Sequence, residues 1–145
     1  MLIREMTAED LDAVAGMEKE NFTTPWKKDD FADLLDCDDR GCMVAEEDGM
    51  IVGCVVYHDI LGDVDITNVQ VKETFRGRGI GRRLMAAALE KARSVGGREF
   101  TLEVRVGNTV AISLYESLGF VEEGKRKDFY KDPTEDALIM WLRSN

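Results

Sequence analysis

Eight consecutive residues, Arg76-Gly77-Arg78-Gly79-Ile80-Gly81-Arg82-Arg83, interleave glycines with guanidinium groups. Glycine lets backbone N–H groups approach a ligand closely, and a helix that starts here adds the partial positive charge of its unpaired amides. That combination suits a pyrophosphate. The charge distribution agrees: Lys72 to Arg98 carries 8 of the 19 Lys and Arg residues but only 2 of the 29 Asp and Glu residues, a net of +6 within a chain of net charge -10. Two familiar phosphate motifs are excluded. Arg82 stands where a G-x-G-x-x-G begun at Gly77 needs its last glycine, and the Gly-Lys-Ser/Thr ending of a Walker A loop is missing. Taken alone, the turn also reads as a tight connection with solvated arginines.

Other residues have chemistry open to them. Glu103 lies on the polar face of the alternating run Phe100 to Val106, as a potential base or as a solvated strand carboxylate. Tyr115 sits among Ala111, Ile112 and Leu118 at helical spacing, which fits a core tyrosine or a proton donor, and Asn108 reads as a helix cap. Cys54 and the only histidine, His58, are four residues apart on a strand and share a face, the arrangement an acyl-cysteine intermediate would use; a buried structural cysteine is the simpler reading. The acidic run Asp29 to Asp39 lacks the glycine and ligand spacing of a calcium loop. It reads as an acidic helix face, either solvated or steering a basic peptide. No metal site is expected.

These residues need elements to hold them. Leu2 to Met6 reads as a short strand, and Thr7 with acidic Asp10 three positions later opens a helix through about Glu20. A loop punctuated by Pro25 precedes a second helix from about Lys27 to Leu35. Strands at Cys42–Glu46 and Ile51–Ile60 flank an Asp48-Gly49 hairpin signal. In Val64 to Lys72 the apolar parity flips, with Val64 and Ile66 on even positions and Val69 and Val71 on odd ones. One extra residue near Thr67-Asn68 restores the register, which predicts a β-bulge with unpaired backbone groups; a strand buried on both faces is the competing reading. A helix from Gly79 or Gly81 to Gly96, the strand around Phe100 to Val106, a helix from Asn108 to Leu118, and strand candidates at Phe120–Val121 and Ala137–Leu142 complete the chain.

The 145 residues, 44% hydrophobic and 33% charged with 2 Pro, predict one ordinary globular domain spanning residues 1–145 and exclude collagen, disorder and disulfide scaffolds. The odd count of 3 cysteines, without C-x-x-C spacing, suggests neither disulfides nor zinc and fits a reducing cytoplasm. The start of the sequence lacks a signal-peptide pattern and no run approaches a membrane span, so a soluble protein is expected. Net acidity argues against nucleic acid as the main partner and favours cationic ones.

The order strand, Arg76-x-x-Gly79-x-Gly81, helix, strand, then Asn108 opening a helix that ends Leu114-Tyr115-Glu116-Ser117-Leu118-Gly119-Phe120, resembles the GNAT superfamily of acetyl-coenzyme A-dependent N-acetyltransferases. The string Leu102-Glu103-Val104-Arg105-x-x-Asn108-x-x-Ala111-Ile112-x-Leu114-Tyr115, with Tyr130 ahead of Glu135 to Met140 and Thr24-Pro25-Trp26 ahead of Phe31, is similar more narrowly to the ribosomal-protein alanine N-acetyltransferases. The resemblance implies an α/β GNAT fold: a mixed, mostly antiparallel twisted sheet of about six to seven strands with helices on both faces. It implies acetyl-CoA as cosubstrate, its pyrophosphate on Arg76, Gly77, Arg78, Gly79, Ile80, Gly81 and Arg82. Its pantetheine arm would lie along Asn68, Val69, Gln70 and Val71, with a hydrogen bond from Asn108. By the same likeness Glu103 is the general base, Tyr115 the general acid, and Trp26 and Tyr130 contact the acceptor. The stretch Lys131 to Thr134 is shorter than in familiar members.

The implied chemistry asks for such groups. An α-amino group has a pKa of about 7.7–8.0 and must lose a proton before attacking a thioester, and the departing thiolate must gain one. The expected acceptor is the N-terminal amine of a basic ribosomal protein, acetylated directly in a ternary complex by a monomer or weak homodimer with no nucleic acid or membrane partner. A small-amine acetyltransferase and a non-catalytic acyl-CoA-binding module are the competing readings.

Overall fold

The computed structural model describes residues 1–22 and 24–143. Seven strands, β1 (Leu2–Glu5), β2 (Arg40–Glu47), β3 (Met50–Ile60), β4 (Asp63–Val71), β5 (Glu99–Arg105), β6 (Val121–Tyr130) and β7 (Glu135–Leu142), form one sheet in the order β1-β2-β3-β4-β5-β7-β6. Every neighbouring pair is antiparallel except β4 and β5, which run parallel. The helices are α1 (Leu11–Asn21), α2 (Lys28–Leu34), α3 (Ile80–Ser94) and α4 (Thr109–Ser117). This is the mixed, mostly antiparallel α/β sheet that the family resemblance implies, with seven strands.

Two apolar clusters lie on opposite faces. One gathers Val55, Val64, Ile66, Leu84, Met85, Phe100 and Leu102 beneath α3; the other gathers Val14, Met17, Phe31, Val44, Cys54 and Val56 beneath α1 and α2. Helices on both faces explain why β3 is buried continuously from Ile51 to Tyr57, with no polar alternation. The turns follow their chemistry. Asp48 and Gly49 both take positive φ (49° and 78°), as a tight hairpin between β2 and β3 requires. The Thr7 amide donates to the Asp10 carboxylate at 2.8 Å, so the predicted cap forms, leading through a short 3-10 turn into α1.

The predicted bulge is present. Val56 pairs with Asn68 and Tyr57 with Ile66, which leaves Thr67 as the extra residue on β4. Its effect is to turn Val69 and Val71 toward the α3 cluster, together with Val64 and Ile66, and to turn Asn68 and Gln70 into the opposite layer, where both are buried. The parallel ladder between β4 and β5 covers only Asp63–Ile66 against Glu99–Leu102. Beyond Ile66 and Leu102 the two strands part.

One strand departs from the sequence reading. Phe120–Val121 marks only the start of β6, which continues for 10 residues to Tyr130. Its segment Glu122-Glu123-Gly124-Lys125-Arg126-Lys127-Asp128 has no apolar alternation because β6 is the sheet edge and almost every side chain on it is exposed. A charged edge resists pairing with other chains.

Candidate active site

The gap between β4 and β5 opens at its upper end onto the N-terminus of α3. Gly77 and Gly79 adopt left-handed φ of 79° and 78°, and nothing stands within 4 Å of where a side chain would begin at either. Arg83 N–H donates to the Gly79 carbonyl at 3.1 Å as the first helical bond, so the amides of Ile80, Gly81 and Arg82 lack acceptors within the helix. No side chain caps them. Three aligned donors beside an open glycine turn fit a pyrophosphate. Gly81 differs: a Cβ there would meet the Leu114 side chain of α4 at 3.4 Å, an ordinary contact distance.

The arginines around this turn are held in distinct ways. The Arg76 guanidinium donates to the Val71 carbonyl at 3.1 Å and to the Asn21 side-chain oxygen at 2.9 Å. Arg78 lies over the Phe75 ring at 4.9 Å, while Arg82 turns toward α4 and donates to the Ser117 hydroxyl. Arg76 and Arg78 therefore flank the turn, whereas Arg82 offers it only its amide.

Along the gap, β4 offers a backbone edge that β5 leaves unpaired beyond Ile66, with the Val71 carbonyl taken by Arg76. The Lys72 amide donates to the Val52 carbonyl at 2.7 Å, which fixes the alternation of the strand: the backbone groups of Gln70 and Asn68 face β3, and those of Val69 and Val71 face the gap. An extended, amide-bearing ligand can pair there as a strand would. The four residues predicted to bind it thus divide. Val69 and Val71 present their backbone to the gap, whereas the Asn68 and Gln70 side chains hydrogen bond the buried Glu18.

Glu103 is the first residue of β5 beyond the ladder with β4, so its side chain stands where the strands separate. Arg126 Nη1 reaches both Glu103 carboxylate oxygens at 3.3 Å. Tyr115 is 7% exposed and packs against the tilted Phe120 ring at a centroid distance of 6.0 Å; burial, then the nearby Tyr130, pushes its hydroxyl up to about 12. Tyr130 is pushed up to about 12 as well, by burial and then by Glu103, and Arg105 lies over its ring at 4.5 Å. The electrostatic couplings place Tyr115, Tyr130 and Glu103 in one neighbourhood. Asn108 caps α4 through Oδ1, which accepts from the Ala111 amide at 3.2 Å. Trp26 packs on Phe31 at 5.3 Å, in the loop between α1 and α2.

Three sets of residues were not singled out by sequence reasoning. Arg126 pairs with Glu103; Arg105 and Glu135 pair at 3.2 Å and frame Tyr130. Glu18 is 2% exposed and accepts from Asn68, Gln70 and the Trp26 amide. Its signal was available: Glu18 falls four residues after Val14 and seven after Leu11, on the apolar stripe of α1. The Cys54–His58 reading does not hold. Four residues of extended strand separate their backbones by roughly 13 Å, Cys54 is fully buried against Gln70, and His58 pairs with Asp39 at 3.0 Å. In the acidic run, Asp30 caps α2 by accepting from the Lys27 amide at 2.8 Å, and the flanking carboxylates are exposed.

Residues 11–120 match the model of the acetyltransferase (GNAT) family. A Bacillus subtilis (strain 168) relative, provisionally named ribosomal protein bS18-alanine N-acetyltransferase, is 39% identical over 99% of this chain and 95% of its own. The ribosomal protein bS18-alanine N-acetyltransferase of Escherichia coli (strain K12) is 30% identical over 97% of this chain and 95% of its own. The crystal structure of the ribosomal-protein-S18-alanine N-acetyltransferase from Escherichia coli superposes with a TM-score of 0.87 at 29% identity, covering 97% of this chain and 92% of that one. Among the described residues no helix is long and apolar enough to cross a membrane. The parted β4 and β5, the bulge at Thr67 and the glycine turn at the head of α3 are thus found in a chain that belongs to the GNAT family of acetyltransferases.

Proposed function

We propose that this acetyltransferase uses acetyl-CoA to acetylate the N-terminal α-amino group of a protein, an N-terminal alanine on a ribosomal protein being the acceptor that its relatives' names favour. The observation that carries the reading is the point where β4 and β5 part. The ladder ends at Ile66 and Leu102, immediately before the Thr67 bulge on one strand and Glu103 on the other. A thioester lying in the gap meets a carboxylate there. Bound acetyl-CoA would supply the activated acetyl group.

The residues of the chain divide the remaining work. The amides of Ile80, Gly81 and Arg82, with Gly77, Arg76 and Arg78 around them, would hold the pyrophosphate, and the Val69 backbone with the Val71 amide would align the pantetheine arm. Glu103 takes a proton from the incoming ammonium, directly or through one water, while Tyr115 keeps its proton at neutral pH and can donate it to the departing sulfur. Holding amine and thioester together supplies much of the rate. Trp26 and Tyr130 flank the acceptor side, and the exposed carboxylates of Asp29 to Asp39 favour a basic protein as acceptor. A ribosomal acceptor would place the reaction in the cytoplasm.

Two measurements test this. A synthetic peptide that begins with alanine should be acetylated on its α-amine by the purified protein and acetyl-CoA. Mass spectrometry of protein N-termini, from cells with and without the gene, should show one ribosomal N-terminus losing its acetyl group. Tight acetyl-CoA binding with no acetylation of any amine would instead identify a binding module.

A further inference from the structure

A chain of hydrogen bonds runs from the core of the α1 layer to the phosphate-binding turn, and every link points the same way. Arg76 Nη2 donates to Asn21 Oδ1 at 2.9 Å, Asn21 Nδ2 donates to Gln70 Oε1 at 3.0 Å, and Gln70 Nε2 donates to Glu18 Oε2 at 3.0 Å. Glu18 accepts two further bonds, from Asn68 Nδ2 at 2.7 Å and from the Trp26 backbone amide. The ends of the chain fix its direction. A guanidinium only donates and a carboxylate only accepts, so both intervening amides have one orientation that satisfies all four groups. Glu18 lies at 2% exposure, and Asn68 and Gln70 at 8% and 4%, so water cannot substitute easily for a lost partner.

We propose that Glu18 is a positioning residue for acetyl transfer: as a carboxylate it fixes Arg76 at the phosphate turn through Gln70 and Asn21, and it ties the Trp26 loop to the bulged strand β4. The assignment rests on the reading of acetyl-CoA in the β4–β5 gap. It places one buried group between the two sides of the site, the acceptor loop and the cofactor strand. Protonation would reverse it. A carboxylic acid must donate one hydrogen, and an acceptor for it appears only when the amide of Asn68 or of Gln70 turns its oxygen inward; the second of these moves the relay. Turning Gln70 over sets its NH2 against that of Asn21, and turning Asn21 in response sets an NH2 against Arg76, so the change reaches the phosphate turn.

The groups that face Glu18 are Asn68 and Gln70 from β4, Cys54 from β3, Cys42 from β2 and the Trp26 amide from the loop. Among the described residues no cation contacts Glu18 directly, and the Cys42 thiol is pushed well above its ordinary range, first by Cys54 and then by burial, so it stays neutral. Burial pushes Glu18 itself up to about 7, against the opposing bonds from Trp26, Gln70 and Asn68. Its switch between acceptor and donor therefore falls near neutral pH.

The test uses the full chain and two independent readouts. In the free protein, the Arg76 Nε–H resonance should shift with a midpoint near neutral pH, and the shift should vanish in Glu18→Gln and in Asn21→Ala. By calorimetry at pH 8, each of these substitutions should raise the acetyl-CoA Kd about tenfold, and the double variant should bind no more weakly than either single one. An Arg76 resonance that is flat from pH 5 to 9 in the unaltered protein would overturn the proposal, as would unchanged Kd values or effects that multiply. Asn21→Ala keeps the Glu18 bonds to Asn68 and Trp26, so it carries the test even where Glu18→Gln folds poorly. An unaltered protein whose Arg76 resonance titrates but which binds no acetyl-CoA would retain the relay and refute its role in acetyl transfer.

Discussion

The roles proposed for Glu103 and Tyr115 lie at opposite ends of one reaction, and their surroundings suit them to it unequally. Tyr115 is shielded by the α3 cluster, so its proton stays in place through the neutral range and is available to a strong base such as a departing thiolate. Glu103 is reached by Arg126 at 3.3 Å, a long contact that leaves lone pairs for an approaching ammonium. Replacing Glu103 by Gln or Tyr115 by Phe is expected to lower kcat about 100-fold or more while the acetyl-CoA Kd changes less than twofold. Steady-state kinetics with an alanine-initiated peptide, paired with calorimetry, checks both numbers; full kcat in either variant would remove that residue from the chemistry. The roles themselves came from a resemblance. By residue type alone a strand glutamate and a helical tyrosine read as surface and core, and the structure supplies what spacing could not, their common neighbourhood with Tyr130.

Strand β4 shows what makes an element legible. Its apolar parity flip announced the bulge because each side of that strand packs against a different layer, so one inserted residue leaves a mark in the sequence. Strand β6 left none, since an exposed edge places no demand on side-chain alternation. Deleting Thr67 tests the first case. Without it Tyr57 still faces Ile66 and Val56 still faces Asn68, so Val64, Ile66, Val69 and Val71 alternate without interruption toward the α3 layer and Asn68 and Gln70 keep facing Glu18. The variant should fold, within about 1–3 kcal/mol of the unaltered protein in a urea melt, and failure to fold would show that the bend of the bulge is itself needed. Gly53 probes β4 from the partner strand. A Cβ there would stand 2.9 Å from Leu84 Cδ1 and 3.0 Å from the Gln70 carbonyl, and the carbonyl cannot give way without bending β4. Gly53→Ala should cost about 1–3 kcal/mol, and unchanged stability would show that β4 moves freely.

Over the whole molecule, net charge and its distribution pull apart. The basic island at Lys72 to Arg98 sits in a chain of net charge -10, so its field would draw an anionic cosubstrate to one place and the proposed cationic acceptor to the rest. Screening shortens both attractions, and acetyl-CoA affinity should fall several-fold between about 50 mM and 500 mM salt. A Kd independent of salt would mean that the arginines contribute little to binding.

Stability should carry the opposite mark of the buried Glu18. Its carboxyl is raised from 4.5 to about 7 by burial, so between these values the folded chain holds a proton that the unfolded chain has released. The group's contribution is complete below about pH 4.5 and is lost as pH rises through 7, a decline of roughly 2–3 kcal/mol. Asp10 works the other way. Its carboxyl is held below its ordinary range by the Arg4 hydrogen bond, so its contribution is present at neutral pH and disappears in acid. Urea melts of the unaltered protein and Glu18→Gln from pH 4.5 to 8 isolate the first effect, because Asp10 is common to both. The stability difference between them should shift by about 2–3 kcal/mol against the unaltered protein as pH rises. Saturating acetyl-CoA should flatten that shift if binding favours the carboxylate, since a ligand that prefers one protonation state lowers the cost of reaching it. A difference constant across the range would mean that Glu18 titrates as an ordinary exposed carboxyl, and with it the link between the core and the phosphate turn would lose its trigger.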